Sequence, residues 1–244
     1  MFFNEFKLLD LKMAEQMDHV GKMIIVEAEK THSNKPKEVL LHNHPDYNHP
    51  KLDRVLVKAD EFKKSPSYNE AYQRNASIFN QRISDRDIII SCDLDEIIPA
   101  QDFPEIVDKI KELEYVRFGM QLYYYKINLR MGTWKSPIGV TGKFLRESGK
   151  TLTQLRHARK GKVILTHGKH FSYLATPKEI EVKLRSFCHS KMAKNIDLKD
   201  VMQKVASGED LFKRGDRKGK IVKIDENYPK TIIDNLDDWK EWIV

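Results

Sequence analysis

Four consecutive residues, Asp93-Leu94-Asp95-Glu96, place three carboxylates directly after the apolar run Ile88-Ile89-Ile90-Ser91-Cys92. Carboxylates this close repel one another, and at the end of a buried segment they need solvent or a cation to compensate them. Their hard oxygens suit Mg2+ or Mn2+, which in turn neutralise phosphate oxygens. If the segment is extended, Asp93 and Asp95 share a face and can converge on one ion. The alternative is a solvated acidic turn that caps the next helix. Upstream, Arg74 offers planar donors to a phosphate or a base carbonyl, and Asn75 offers both a donor and an acceptor. Arg74 is equally spaced to pair with Glu70, one helical turn earlier.

The elements around these residues alternate. Met23-Ile24-Ile25-Val26 and Val55-Leu56-Val57 read as strands, Tyr68 to Ile83 as a helix, and Ile88 to Cys92 as a buried strand. Pro99 to Leu113 reads as a helix with acidic residues at its start. Such alternation argues for an α/β fold with a parallel sheet, whose ligands bind beyond the carboxyl ends of the strands. Further on, Tyr115 to Asn128, Ile138 to Leu145 and Lys162 to Leu165 read as strands, and Pro177 to Lys191 and Leu198 to Ala206 as helices. One domain over 1–244 is expected, with two halves of one fold (1–113 and 114–191) and a helical C-terminal extension (192–244).

With 244 residues the chain is long enough to bury a core, and its net charge is +7. The positive charge is concentrated in Lys143–Lys162 and Lys213–Lys223, runs that read as solvated faces or as attraction to an anion. No apolar stretch approaches the ~18 residues of a membrane span, and Met1-Phe2-Phe3-Asn4-Glu5 lacks the pattern of a secretory signal, so a cytoplasmic location is expected. Cys92 and Cys188 are too few for a disulfide framework and lack zinc spacing. His42, His44, Asp46 and His49 lie in a loop without a partner motif and read as an exposed segment.

The order Arg74-Asn75, helix, apolar strand, Asp93-Leu94-Asp95 resembles the layout of sugar-nucleotide transferases of the GT-A type. More specifically, Phe2-Phe3-Asn4-Glu5-Phe6, Ile25-Val26-Glu27-Ala28, Thr31-His32, Lys35-Pro36-Lys37 and Gln73-Arg74-Asn75 resemble glycosyltransferase family 17. So do Asp93-Leu94-Asp95-Glu96, His167-Gly168-Lys169-His170-Phe171-Ser172-Tyr173 and Lys183-Leu184-Arg185-Ser186-Phe187-Cys188-His189, all in the family's order from Phe2 to His189. The family includes β-1,4-mannosyl-glycoprotein N-acetylglucosaminyltransferases. The resemblance therefore implies a GT-A-type Rossmann-like mixed sheet flanked by helices, a UDP-sugar donor with UDP-GlcNAc favoured, and inverting transfer to a glycan or glycoconjugate. Lys169 departs from it, standing where the family has tryptophan.

On this resemblance Asp93, Asp95 and a late histidine, His170, hold Mn2+ or Mg2+, with His167 as the competitor for the third place. Asn4, Glu5, Glu27, Arg74, Asn75, Asp93, Lys183 and His189 are expected along the donor. Glu27 has the added argument that a carboxylate ending an apolar strand wants a hydroxyl or N–H partner. Lys183 and His189 are roughly 240° apart on an ideal helix and cannot both point straight at one ligand. Inverting transfer needs a base for the acceptor hydroxyl. Glu147, the one carboxylate between Glu114 and Glu179, is a candidate, and Glu96 is a second. Glu179 or Glu181 is a third. Trp134 is an acceptor-side candidate, whereas Tyr123-Tyr124-Tyr125 reads as mainly structural. Two other classes remain open. A nucleotidyl- or phosphoryl-transfer enzyme would want a Gly-rich phosphate loop, which the sequence lacks. A basic nucleic-acid-binding protein would want a recognisable module, also lacking, so no nucleic-acid partner is expected.

Overall fold

The computed structural model describes residues 1–186, 196–212 and 218–244. Helix α1 (Phe6–Gln16) leads into strand β1 (Met23–Ala28), which pairs in parallel with β2 (Leu52–Val57) as a separate two-stranded sheet. Between them, the chain from 29 to 51 loops out and returns, with a single 3-10 turn at Pro45–Tyr47. Helix α2 (Pro66–Ala76) starts on a Ser65 cap with Pro66 at its first position, a strong start signal. It stops well before Ile83, the end that periodicity suggests.

Strand β3 (Ile88–Ser91), the short β4 (Glu96–Ile97), helix α3 (Phe103–Leu113) and the long strand β5 (Tyr115–Tyr124) follow. Then come β6 (Leu129–Trp134), β7 (Ile138–Thr141), helices α4 (Gly142–Ser148) and α5 (Leu152–His157), and strand β8 (Lys162–Ser172). Helices α6 (Pro177–Ser186) and α7 (Leu198–Ser207), the two-residue β9 (Lys220–Ile221) and α8 (Lys230–Asp234) complete the chain before a 3-10 turn at Leu236–Trp242. The large sheet runs β3-β7-β5-β6-β9, with β8 along the other edge of β5 and β4 beyond it.

The result is a mixed α/β fold flanked by helices, but the parallel sheet expected from alternation is not what forms. Only β1–β2 and β5–β8 are parallel; β3–β7, β4–β8, β5–β6, β5–β7 and β6–β9 are antiparallel. The segment 138–145 also splits. Thr141 caps α4 by accepting from the Phe144 N–H, so the strand ends there. Gly142 is forced, since a Cβ would stand 2.0 Å from the Ser84 carbonyl oxygen.

The cores explain the placement of the sheet. Leu8 and Leu9 of α1 pack with Tyr123, Phe171, Ile232 and Trp239, tying the N-terminal helix to the C-terminal segment. Ile106 and Ile110 of α3 cover Val116 and Phe118 of β5. All three of Tyr123, Tyr124 and Tyr125 are buried, in keeping with a structural role. No helix among the described residues is long and apolar enough to cross a membrane.

Candidate active site

Strand β3 delivers the acidic run to the sheet end, and β4 carries it on beside β8. Glu96 pairs with His170 across β4–β8, and the Phe171 N–H donates to the Asp95 carbonyl (2.8 Å). That register brings the His170 side chain to Asp95, with Nε2 3.5 Å from Oδ1. From α6, Lys183 places Nζ 3.7 Å from Asp95 Oδ2 and 3.0 Å from Glu5 Oε1. Asp93, Asp95, His170, Lys183, Glu5 and Trp134 line one cavity of about 250 Å3. Tyr173, also on its wall, holds φ at +56°, an uncommon conformation for a bulky residue and one that marks the point where β8 stops.

The carboxylates of the run face different partners. Asp93 accepts from Arg156 Nη2 (2.9 Å) and from Arg74 Nη2 (3.3 and 3.4 Å), so both oxygens are taken by guanidinium. Glu96, 0% exposed, accepts from Arg156 Nη1 and Nη2, from the Asp93 N–H and from Trp134 Nε1. Lys12 donates to the carbonyls of both Asp93 and Glu96 (3.1 and 2.6 Å). Burial alone would raise the pKa of Asp93, but Arg156 and Arg74 outweigh it and hold the group well below the carboxylate range. Burial works the same way on Asp95, where His170 and Lys183 prevail and hold it at about 2. For His170, burial favours the neutral ring, and Asp95 overrides it and raises the pKa.

Several expected site residues lie elsewhere. Glu27 is 1% exposed, and its carboxylate accepts from the N–H groups of Leu40, Leu41 and His42 and from Lys37 Nζ. It fastens the returning loop and lines no part of the cavity. Asn75 Oδ1 accepts from the N–H and hydroxyl of Thr153, joining α2 to α5. Asn4 is exposed and outside the cavity wall. Glu147 is exposed on α4 and does not line the cavity, and each Glu96 oxygen already accepts two hydrogen bonds. Glu179 caps its own helix through Thr176, and Glu181 pairs with Arg185. His167 faces Asp102 (2.7 Å) rather than the acidic run. His189 lies outside the described residues. Arg74 sits just behind the cavity wall, with its Nε and Nη1 buried and unpartnered among the described residues.

Sequence reasoning missed Arg156. It lies in a basic run that reads as surface, yet it is 3% exposed and holds two of the three acids. The only available signal is the demand itself, because buried carboxylates imply a buried cation somewhere.

A divalent cation has a partial fit. No cluster of three His, Cys, Asp or Glu that could hold a metal occurs among the described residues. Asp93 also lines the cavity, but both its oxygens already accept from arginine. Asp95 and His170 do fit. Their 3.5 Å O···N separation would close to about 3.0 Å for neighbouring ligands in an octahedral shell with bonds of about 2.1 Å.

The match to glycosyltransferase family 17 covers residues 1–215. The chain belongs to that family. No curated protein and no solved structure matches it. Every residue named on the cavity wall falls inside the matched span.

Proposed function

We propose that this chain is a metal-dependent, inverting transferase of GT-A type that moves a sugar, GlcNAc in the first instance, from a UDP-sugar to a glycan acceptor. The observation that carries the reading is Asp95 facing both His170 and Lys183 in a cavity of a family 17 glycosyltransferase. Asp95 and His170 would hold Mn2+ or Mg2+, which, when bound, stabilises the charge of the departing nucleoside diphosphate. Lys183 supplies a second positive charge at the same place. Arg74 keeps Asp93 ionised and fixed. With both Glu96 oxygens engaged and Glu147 off the cavity wall, Glu70 is the candidate base. It lines the cavity, and its side chain is 24% exposed beside Arg74.

The test is a nucleotide-sugar screen by thermal stabilisation with and without Mn2+, repeated with Asp95→Asn. A UDP-dependent, Mn2+-dependent shift that disappears in the variant supports the proposal. Stabilisation that is indifferent to Mn2+, or none with any nucleotide sugar, sinks it. The anomeric configuration of the product separately decides whether transfer inverts.

A further inference from the structure

We infer that Arg156 is a positioning residue that, through Glu96 and the Trp134 indole, sets His170 against Asp95. The inference rests on the metal-and-nucleotide reading of the cavity only for its functional consequence; the geometry stands without it. Arg156 projects from α5, and its guanidinium makes four charge-assisted contacts: Nη1 to the Ser91 carbonyl (2.8 Å) and Glu96 Oε2 (3.1 Å), Nη2 to Glu96 Oε1 (3.0 Å) and Asp93 Oδ2 (2.9 Å). Glu96 Oε1 then accepts from Trp134 Nε1 at 2.6 Å. The indole packs on the His170 ring, with centroids 4.8 Å apart and planes at 49°. His170 is in turn the β-ladder partner of Glu96, which closes the circuit.

The circuit meets the Asp95 carboxylate only through His170; Arg156, Glu96 and Trp134 make no hydrogen bond to it. Asp93 and Glu96, on either side of it, are held by one guanidinium, so the direction of the residue between them is set from behind. Only a planar fork can take both Glu96 oxygens and still reach Asp93; an ammonium is a point donor on a flexible stem. Arg156 is itself held in place. A capping box between Thr151 and Gln154 starts α5, and Thr153 hangs from Asn75 of α2. Asn75 thus bears on the site through α5 rather than by touching a donor.

Two variants separate positioning from folding. Arg156→Lys keeps the charge and loses the fork, and Trp134→Phe keeps a ring on His170 and loses the N–H to Glu96. Free Mn2+ is counted by its electron paramagnetic resonance signal in the presence of UDP, alongside circular dichroism and a thermal melt. Each variant should weaken Mn2+ binding by about tenfold or more, the usual cost of removing a group that orients a metal ligand. The double variant should lose no more than the worse single, because both substitutions cut the same path. The His170 ring protons, assigned by their loss in His170→Gln, should shift in Arg156→Lys while signals far from the cavity stay put. Folded variants with wild-type Mn2+ affinity overturn the inference, as do losses that add. If the wild-type protein binds no Mn2+, the metal reading fails, and the His170 resonance alone decides. An unmoved resonance in folded Arg156→Lys overturns the positioning role in either case.

Discussion

Replacing Glu27 with glutamine should destabilise the protein and leave nucleotide binding intact. In the native structure, Oε1 accepts from the Leu40 N–H (2.8 Å) and Lys37 Nζ (3.0 Å), while Oε2 accepts from the Leu41 and His42 N–H groups (both 2.9 Å). Glutamine has the same shape but only one oxygen. Whichever way the amide turns, its NH2 faces two donors, so two of the four bonds are lost and like ends oppose. A hydrogen bond to a charged group contributes roughly 1.5–3 kcal/mol, which puts the loss at about 3–6 kcal/mol before the loop relaxes. With relaxation toward solvent the lower end is expected. A stability loss of ~3 kcal/mol corresponds to a melting temperature lower by about 6–12 °C for a chain of this size.

Urea unfolding gives the stability difference, and calorimetric titration of UDP with Mn2+, well below the melting temperature, gives the affinity of the folded variant. The reasoning predicts a lower unfolding midpoint with an unchanged slope and a UDP affinity within about twofold of wild type. A variant that unfolds where the wild type does, yet binds UDP tenfold or more weakly, would refute it. That result would return Glu27 to the donor site suggested by its position at a strand end.

Asp95→Asn should reduce transfer by about a hundredfold or more and lower the melting temperature, because the charge it removes is the one that His170 and Lys183 face; steady-state kinetics and a melt check both halves. Mn2+ affinity should rise with pH, since the raised pKa of His170 means that the ion must displace a proton from the ring; titrations at several pH values, compared with His170→Gln, show whether the slope belongs to that residue. Lys169 is 1% exposed, and burial pushes its pKa down to about 8 from an ordinary 10.5. Between those values the unfolded chain binds the proton and the native protein does not, so stability attributable to this group should rise with pH by up to about 3 kcal/mol. Urea midpoints of Lys169→Met should lack that rise, and an identical pH profile in wild type and variant would show the lysine to be already compensated.

Legibility followed the range over which each residue finds its partners. Asp95, His170 and Lys183 sit in recognisable elements, and the structure brings them together because β4 and β8 share a register. Glu27 misled because a carboxylate at a strand end looks the same whether a ribose hydroxyl or a returning backbone meets it; the deciding residues, 40–42, are in a loop without pattern. Arg156 was invisible for the same reason on a longer scale, since its carboxylates lie 60 and 63 residues away. The antiparallel sheet escaped because helices between strands suggest parallel crossovers, whereas α3 here leads from β4 into a strand that pairs with β7 and β6 in the opposite sense. The Thr141 cap, by contrast, was readable and would have ended the strand at the right residue.

The charges around the acidic run argue for how its ligands arrive. Asp93, Glu96, Asp95, Glu5 and Glu70 are met by Arg74, Arg156, Lys12, Lys183 and His170, whose pKa Asp95 raises. These groups largely neutralise one another, because four of the cations face a carboxylate and Lys12 is held by the Asp93 and Glu96 carbonyls, so a diphosphate arriving alone finds little unengaged positive charge among them. A divalent ion alone would meet the opposite difficulty, as it must compete with the proton that Asp95 favours on His170 and crowd Lys183. Arriving together, the two bring compensating charge, with phosphate oxygens to complete the coordination and a cation to offset the anion. Nucleotide and metal should therefore bind cooperatively, each tightening the other by the same factor. The arginine pair makes this possible by silencing Asp93 and Glu96, so that of three adjacent carboxylates only Asp95 is presented to the cavity with displaceable partners.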